Sequence, residues 1–139
     1  MNSTQKYISI LEQIPKNLNA LEDAIQTTQR VHASGFTWGC IEEAMAKIPE
    51  ELDEIKQALA QKAPIAEIEA EFGDLMLAVI SLCTYANIDT QRVLEKALNK
   101  FKNRFQVVEK ALVERHQPIA EKPLNELMIE WKAAKKLFP

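Results

Sequence analysis

The chain has 139 residues, of which 47% are hydrophobic and 27% charged, with three glycines and a formal net charge of −3. That length predicts a single domain over 1–139, with 1–16 as a peripheral N-terminal segment, and the composition excludes a disordered or turn-rich all-β protein. The slight negative charge gives no general reason to expect nucleic acid as a partner.

Apolar residues recur at three and four rather than two, between proline and glycine breaks. This predicts an all-α chain, an antiparallel helical bundle of about five helices. After a short segment around Tyr7–Ile14, Pro15 and Asn17 introduce a first helix carrying Leu18, Leu21, Ile25, Thr28 and Val31, which Gly35 ends. A second is expected after Thr37 as N-cap. Its apolar positions Ile41, Met45, Ile48, Leu52, Ile55 and Leu59 step by four and three, the spacing of a bundle seam. Pro49 falls inside that series, and the poor capping value of Ile48 favours one continuous, kinked helix over a new start. Pro64 opens a third helix with Ile65, Ile68, Phe72, Leu75, Val79 and Leu82 on its stripe. It stops near Asn87, and Asp89 is placed to cap a fourth helix that runs through Phe101, Phe105 and Val108 to Arg115. Pro118 breaks that helix, and a final one spans Pro123–Leu137.

The N-terminal sequence lacks the basic segment, apolar core and cleavage site of a secretory signal, and the longest apolar stretch, Leu75–Cys83, is too short to cross a bilayer. A cytoplasmic protein with no membrane partner is expected. Cys40 and Cys83 have neither disulfide-framework nor metal-ligand spacing and are expected as buried free thiols.

Four acidic residues carry the sharpest chemical signal. Glu51 and Glu54 on the second helix, and Glu71 and Asp74 on the third, are pairs three residues apart, each on one helix face. A short connection folds one helix back on the other. Four carboxylates meeting in one place repel strongly unless a divalent cation sits among them, and hard oxygen donors select Mg2+ or Mn2+. Because Phe72 to Ala86 is otherwise almost wholly apolar, a carboxylate at Asp74 is expected to be partly buried, which is costly unless paired or metal-bound. Gly73 costs about 1 kcal/mol relative to Ala inside a helix, which points to a close approach to the backbone.

Lys100 and Arg104 are like charges at i and i+4, beside Phe101 and Phe105. An anion would relieve their repulsion, and snorkelling into water is the alternative. Trp131 and Lys135 place an aromatic plane one turn from an ammonium, suited to a base and a phosphate, with a core position as the alternative for Trp131. His32 and His116 have no partner at catalytic spacing and are expected at the surface or at helix ends. Glycines at 35, 39 and 73 write no phosphate-binding loop, so phosphates would have to be held by metal and basic side chains.

At these residues the chain resembles the MazG family of nucleoside triphosphate pyrophosphohydrolases, whose EExxE reads here as Glu50-Glu51-Leu52-Asp53-Glu54 and whose ExxD reads as Glu71-Phe72-Gly73-Asp74. Gly35-Phe36-Thr37-Trp38 is similar to that family's GFxW segment, residues 99–109 to its KFxxRFxxVE segment, and Trp131-Lys132-Ala133-Ala134-Lys135 to its terminal WxxxK. The resemblance spans roughly Ile14 to Lys136 and is strongest to the C-terminal half of two-domain members. One departure is Leu98, where many members have Asn; here Asn99 follows one residue later.

The resemblance implies Glu51, Glu54, Glu71 and Asp74 as Mg2+ ligands, Lys100 and Arg104 as triphosphate contacts, and Trp131 and Lys135 beside the nucleotide. It also implies a homodimer or larger homo-oligomer that completes the bundle. The activity implied is Mg2+-dependent hydrolysis of a (deoxy)nucleoside triphosphate to the monophosphate and pyrophosphate, with Glu54, or Glu50 in its place, assisting the attacking water. The alternatives are a substrate-restricted dUTP or dCTP pyrophosphatase, a phosphoribosyl-ATP pyrophosphohydrolase, and a non-catalytic nucleotide-binding helical module.

Overall fold

A computed structural model describes residues 7–139, so the first six residues of the expected peripheral segment lie outside the described range. Among the described residues every regular element is helical. A 3-10 turn at Ile10–Gln13 precedes α1 (Ala20–Ala33), α2 (Ile41–Ala60), α3 (Ile65–Tyr85) and α4 (Thr90–Glu114); a second 3-10 turn at Ile119–Glu121 precedes α5 (Leu124–Leu137). The chain divides into two compact units, Met1–Thr90 and Gln91–Pro139.

Local chemistry sets the helix ends. At the start of α1, Asn19 rather than Asn17 is the cap: its Oδ1 accepts the Glu22 amide at 2.9 Å while Glu22 Oε2 accepts the Asn19 amide at 3.2 Å. This reciprocal pair satisfies two otherwise orphaned donors and leaves Leu18 outside the helix. The start of α2 also differs from expectation, with Cys40 in extended conformation as N-cap instead of Thr37. There the Glu43 carboxylate accepts the Gly39 amide at 2.8 Å, and a negative group in the first turn suits the positive end of the helix. The helix then continues unbroken through Pro49, as the apolar spacing predicts.

Three helices end in one way, and none of them uses glycine. Lys62, Asn87 and His116 each adopt a positive φ of 52–55° just past α2, α3 and α4. In each case the next amide reaches back five residues, Ala63 to the Ala58 carbonyl, Ile88 to Cys83 and Gln117 to Leu112. These are Schellman closures, which pair the last free carbonyls and turn the chain sharply.

In the first unit α2 and α1 both pack along α3. The face of α2 turned inward supplies Ala44, Glu51 and Ile55 as buried residues. Between α1 and α3, Thr28 meets Thr84 and His32 meets Ser81, an antiparallel register. Because α1 finishes at Ala33, the strip of α3 at Leu77 and Gly73 lies past its end. A Cβ on Gly73 would meet nothing within 4 Å, so the close approach expected there is absent from this chain. The apolar seams are likewise only partly covered. Met45, Leu52 and Leu59, seven residues apart on α2, and Ile65, Phe72, Met76 and Val79 on α3 remain exposed.

The second unit has an apolar centre, where Val108, Leu112 and Ala134 are buried and Val107, Ile119, Leu127 and Trp131 pack against them. Of the two thiols, Cys83 is half-buried and Cys40 exposed, because Cys40 sits in the extended turn ahead of α2 and on no packed face. No helix among the described residues is long and apolar enough to cross a membrane.

Candidate functional site

Four residues join α2 to α3, so the two helices run antiparallel and the middle of one lies beside the start of the other. One carboxylate oxygen from each of Glu51, Glu71 and Asp74 lies within 4.8 Å of the others. Glu51 is 8% exposed, and its Oε2 is buried with no hydrogen-bond partner among the described residues. An unmade buried acceptor costs about 1–3 kcal/mol, more when charged. A set of hard oxygens with one buried and unpaired fits a divalent cation of the oxygen-binding class.

The buried member is not the one expected. Asp74 is exposed and Glu71 half-buried, while Glu51 is enclosed. The reason is geometric: Glu51 lies on the strip of α2 that carries Ala44 and Ile55 against α3, whereas Asp74 sits at the rim of that contact. Glu54 is exposed, yet its carboxyl is held above the ordinary range, first by the negative charge of Glu51, then by partial desolvation and by the charge of Glu71. Glu54 therefore senses Glu51 and Glu71, while Glu51, Glu71 and Asp74 lie within ligand reach of a common centre.

Sequence reasoning passed over Lys47. Its Nζ lies 2.7 Å from Glu50 and 3.2 Å from Glu51, and these two bonds hold its ammonium more basic than usual. The signal was available, since a lysine three and four residues before two glutamates on a helix shares their face. Glu50, the alternative proton acceptor, is thereby engaged by Lys47 and is not one of the three converging carboxylates.

Lys100, Arg104, Trp131 and Lys135 belong to the second unit. Lys100 and Lys135 are exposed. Arg104 donates from Nε to the Phe138 carbonyl at 2.7 Å, at the negative end of α5, and its Nη groups remain as further donors. Trp131 is half-buried against the apolar centre, with its ring 5.2 Å from that of Phe101.

His32 lies in the last turn of α1, the helix-end position expected, but with a partner that its spacing did not reveal. Its Nε2 lies 2.9 Å from Ser81 Oγ, and its ring meets Trp38 edge-on at 5.4 Å. Burial holds its pKa below the usual value. Nothing in local spacing marks this contact, because Ser81 is 49 residues away. His116 is exposed at the helix end, as expected.

Residues 41–108, comprising α2, α3 and most of α4, match the model of the MazG nucleotide pyrophosphohydrolase domain. The chain is 34% identical over 122 residues, 85% of its length, to the nucleoside triphosphate pyrophosphohydrolase/pyrophosphatase MazG of Thermotoga maritima, of which it covers 46%. It is 30% identical over 132 residues, 92% of its length, to the nucleoside triphosphate pyrophosphohydrolase of Escherichia coli K12, of which it covers 49%. It thus spans about half the length of the curated relatives it matches. With the acidic motifs inside the matched segment, the chain belongs to the MazG nucleotide pyrophosphohydrolase family.

Proposed function

We propose that this chain hydrolyses (deoxy)nucleoside triphosphates to the monophosphate and pyrophosphate, using Mg2+ held by Glu51, Glu54, Glu71 and Asp74, with Mn2+ as a substitute. The observation that carries the reading is the meeting of one oxygen each from Glu51, Glu71 and Asp74 within 4.8 Å, on a Glu51 carboxylate whose Oε2 is buried without a hydrogen-bond partner. A divalent cation among these oxygens relieves their mutual repulsion. Bound there, the metal supplies charge neutralisation for phosphate oxygens.

The chain's own residues do the rest. Water attacks the α-phosphorus, the bond from that phosphorus to the bridging oxygen breaks, and pyrophosphate leaves. Glu54 accepts the proton of the attacking water. Glu50 serves this role less well because Lys47 already binds it. In this reading Lys47, Lys100 and Arg104 contact the triphosphate and stabilise charge on the leaving pyrophosphate, and Trp131 and Lys135 lie by the nucleotide. Since nucleoside triphosphates are abundant inside cells, the cytoplasm is the natural place of work.

The reading includes a homodimer. Met45, Leu52 and Leu59 form an exposed heptad ridge on α2, beside exposed Ile65, Phe72, Met76 and Val79 on α3. Contiguous apolar faces of this kind are seldom left to water, and a second copy covers them symmetrically. Leu52→Glu should then shift the protein towards monomer in sedimentation analysis.

Product analysis by chromatography on a panel of ribo- and deoxyribonucleoside triphosphates, with and without EDTA, tests the activity. Monophosphate and pyrophosphate in equal amounts, abolished by EDTA, are expected. Release of inorganic phosphate from the γ-position, or binding without turnover, would overturn the assignment. Turnover of dUTP or dCTP alone would favour a restricted pyrophosphatase instead.

A further inference from the structure

Lys47 is built into the carboxylate centre. Its Nζ lies 3.2 Å from Oε1 of Glu51, while Oε2 of the same carboxylate is buried with no hydrogen-bond partner among the described residues. The ammonium therefore takes one oxygen of Glu51 and leaves the other. Glu50, at 2.7 Å, anchors it from a second carboxylate. Among the described residues no other cation forms an ion pair with Glu51, Glu54, Glu71 or Asp74. Helix stability does not account for the pair. A lysine four residues before a glutamate is the weaker of the two orders, and Lys47 lies away from the C-terminal turn of α2, where the macrodipole favours a cation.

A divalent cation held by Glu51, Glu71 and Asp74 shares a carboxylate with this ammonium, and like charges so close repel. Orientation of Glu51 by Lys47 would offset that repulsion only if Glu51 needed it. The Glu51 side chain is 11% exposed and lies on the packed strip of Ala44 and Ile55, which already holds it. Removing Lys47 therefore relieves repulsion and frees little. A polyphosphate that comes with the cation reverses the sign. Lysine carries three donors; two are engaged by Glu50 and Glu51, and the third is open to a phosphate oxygen. We infer that Lys47 couples cation to anion at this centre: it opposes a divalent cation that arrives alone and favours one that arrives with a polyphosphate. The inference rests on the metal reading above and deepens it by saying when the centre fills. By linkage, the polyphosphate is held more tightly by the same factor once the cation is in place. A metal-free centre meanwhile keeps a counter-ion of its own.

Direct binding of Mn2+ to the full chain, followed by electron paramagnetic resonance without any turnover, tests this. The dissociation constant is measured for Mn2+ alone and for its complex with inorganic tripolyphosphate, in the wild type, Lys47→Met and Lys47→Arg, with Glu51→Gln to show that the ion counted is the one at the centre. Lys47→Met should bind Mn2+ alone about tenfold more tightly than the wild type, and its preference for the tripolyphosphate complex over bare Mn2+ should shrink by at least about tenfold. Lys47→Arg keeps the charge and should stay close to the wild type in both. Circular dichroism checks the helices, and Lys47→Gln replaces the Met variant if that one does not fold. Equal or weaker binding of bare Mn2+ in Lys47→Met would overturn the inference and make Lys47 a residue that merely orients Glu51, while the metal reading stood. Tighter binding with an undiminished preference for the complex would also overturn it, since the ammonium would then oppose the ion without linking it to the anion. A wild type that binds Mn2+ neither alone nor with tripolyphosphate would end the metal reading and this inference together.

Discussion

The two units differ in what they enclose. In Gln91–Pro139 the buried residues are Val108, Leu112 and Ala134, all apolar. Among the described residues up to Thr90, buried Ala44 and Ile55 share the interior with Thr28, Glu51 and Thr90, so polar groups outnumber apolar ones. A buried apolar side chain stabilises in proportion to the area it removes from water, whereas a buried carboxylate detracts from stability until something binds it. The second unit is thus organised for packing, and the first gives up packing to hold a charged centre.

The contrast can be broken most sharply at the carboxylates. Asp74→Ala and Glu54→Ala should each reduce pyrophosphate release by on the order of 10^3-fold or more, since each removes several kcal/mol of interaction at the reacting phosphate. Circular dichroism should show the helices intact. Full activity in either variant would remove that residue from the site.

Leu112→Ala probes the other side of the comparison and should lower unfolding free energy by about 2–5 kcal/mol, the usual cost of truncating an enclosed leucine. Urea denaturation would measure it; a loss below 1 kcal/mol would mean that the second unit's centre is less tightly packed than its burial indicates.

Divalent metal should act on the first unit in the opposite direction. At a hundredfold excess over Kd, Mg2+ should add about 2.7 kcal/mol and raise Tm by roughly 5–15 °C, and Glu51→Gln should abolish most of that rise. Scanning calorimetry with and without EDTA gives the answer, and a Tm indifferent to metal in the wild type would exclude the centre as a cation site.

The smallest effect expected concerns pH. Burial lowers the pKa of His32, so the unfolded chain takes up a proton near pH 6.5 while the folded chain resists until lower pH. Stability from this residue is therefore complete above 6.5 and is lost as pH falls from 6.5 through the lowered folded value. Urea midpoints between pH 7.5 and 5.5 should decline in the wild type and decline less in His32→Gln.

What the sequence made legible follows from the range of the forces involved. The five helices, the uninterrupted course of α2 through Pro49 and the convergence of Glu51, Glu71 and Asp74 all follow from spacings of three and four residues, which act within one or two turns. Cap choice was less visible. Thr37 is the better capping residue in isolation, but the Glu43 carboxylate reaching the Gly39 amide starts the helix three residues later. Burial was read least well. The apolar context of Asp74 along the chain predicted enclosure, yet which strip of α3 is covered depends on where α1 stops and which face α2 presents. The same limit hid His32, whose partner Ser81 comes from another helix, and left Gly73 without the neighbour that its composition cost suggested.

Between α1 and α3 the Thr28 and Thr84 hydroxyl oxygens lie 2.8 Å apart, and each is also placed to donate to a carbonyl of its own helix, Ile25 at 3.0 Å and Ile80 at 3.2 Å. Three contacts therefore share two protons, and at any instant one contact is without its own. Remove either hydroxyl, and the survivor simply turns its proton back to its own turn of helix, so no polar atom is stranded. This joint fails softly, since neither hydroxyl is indispensable to the other.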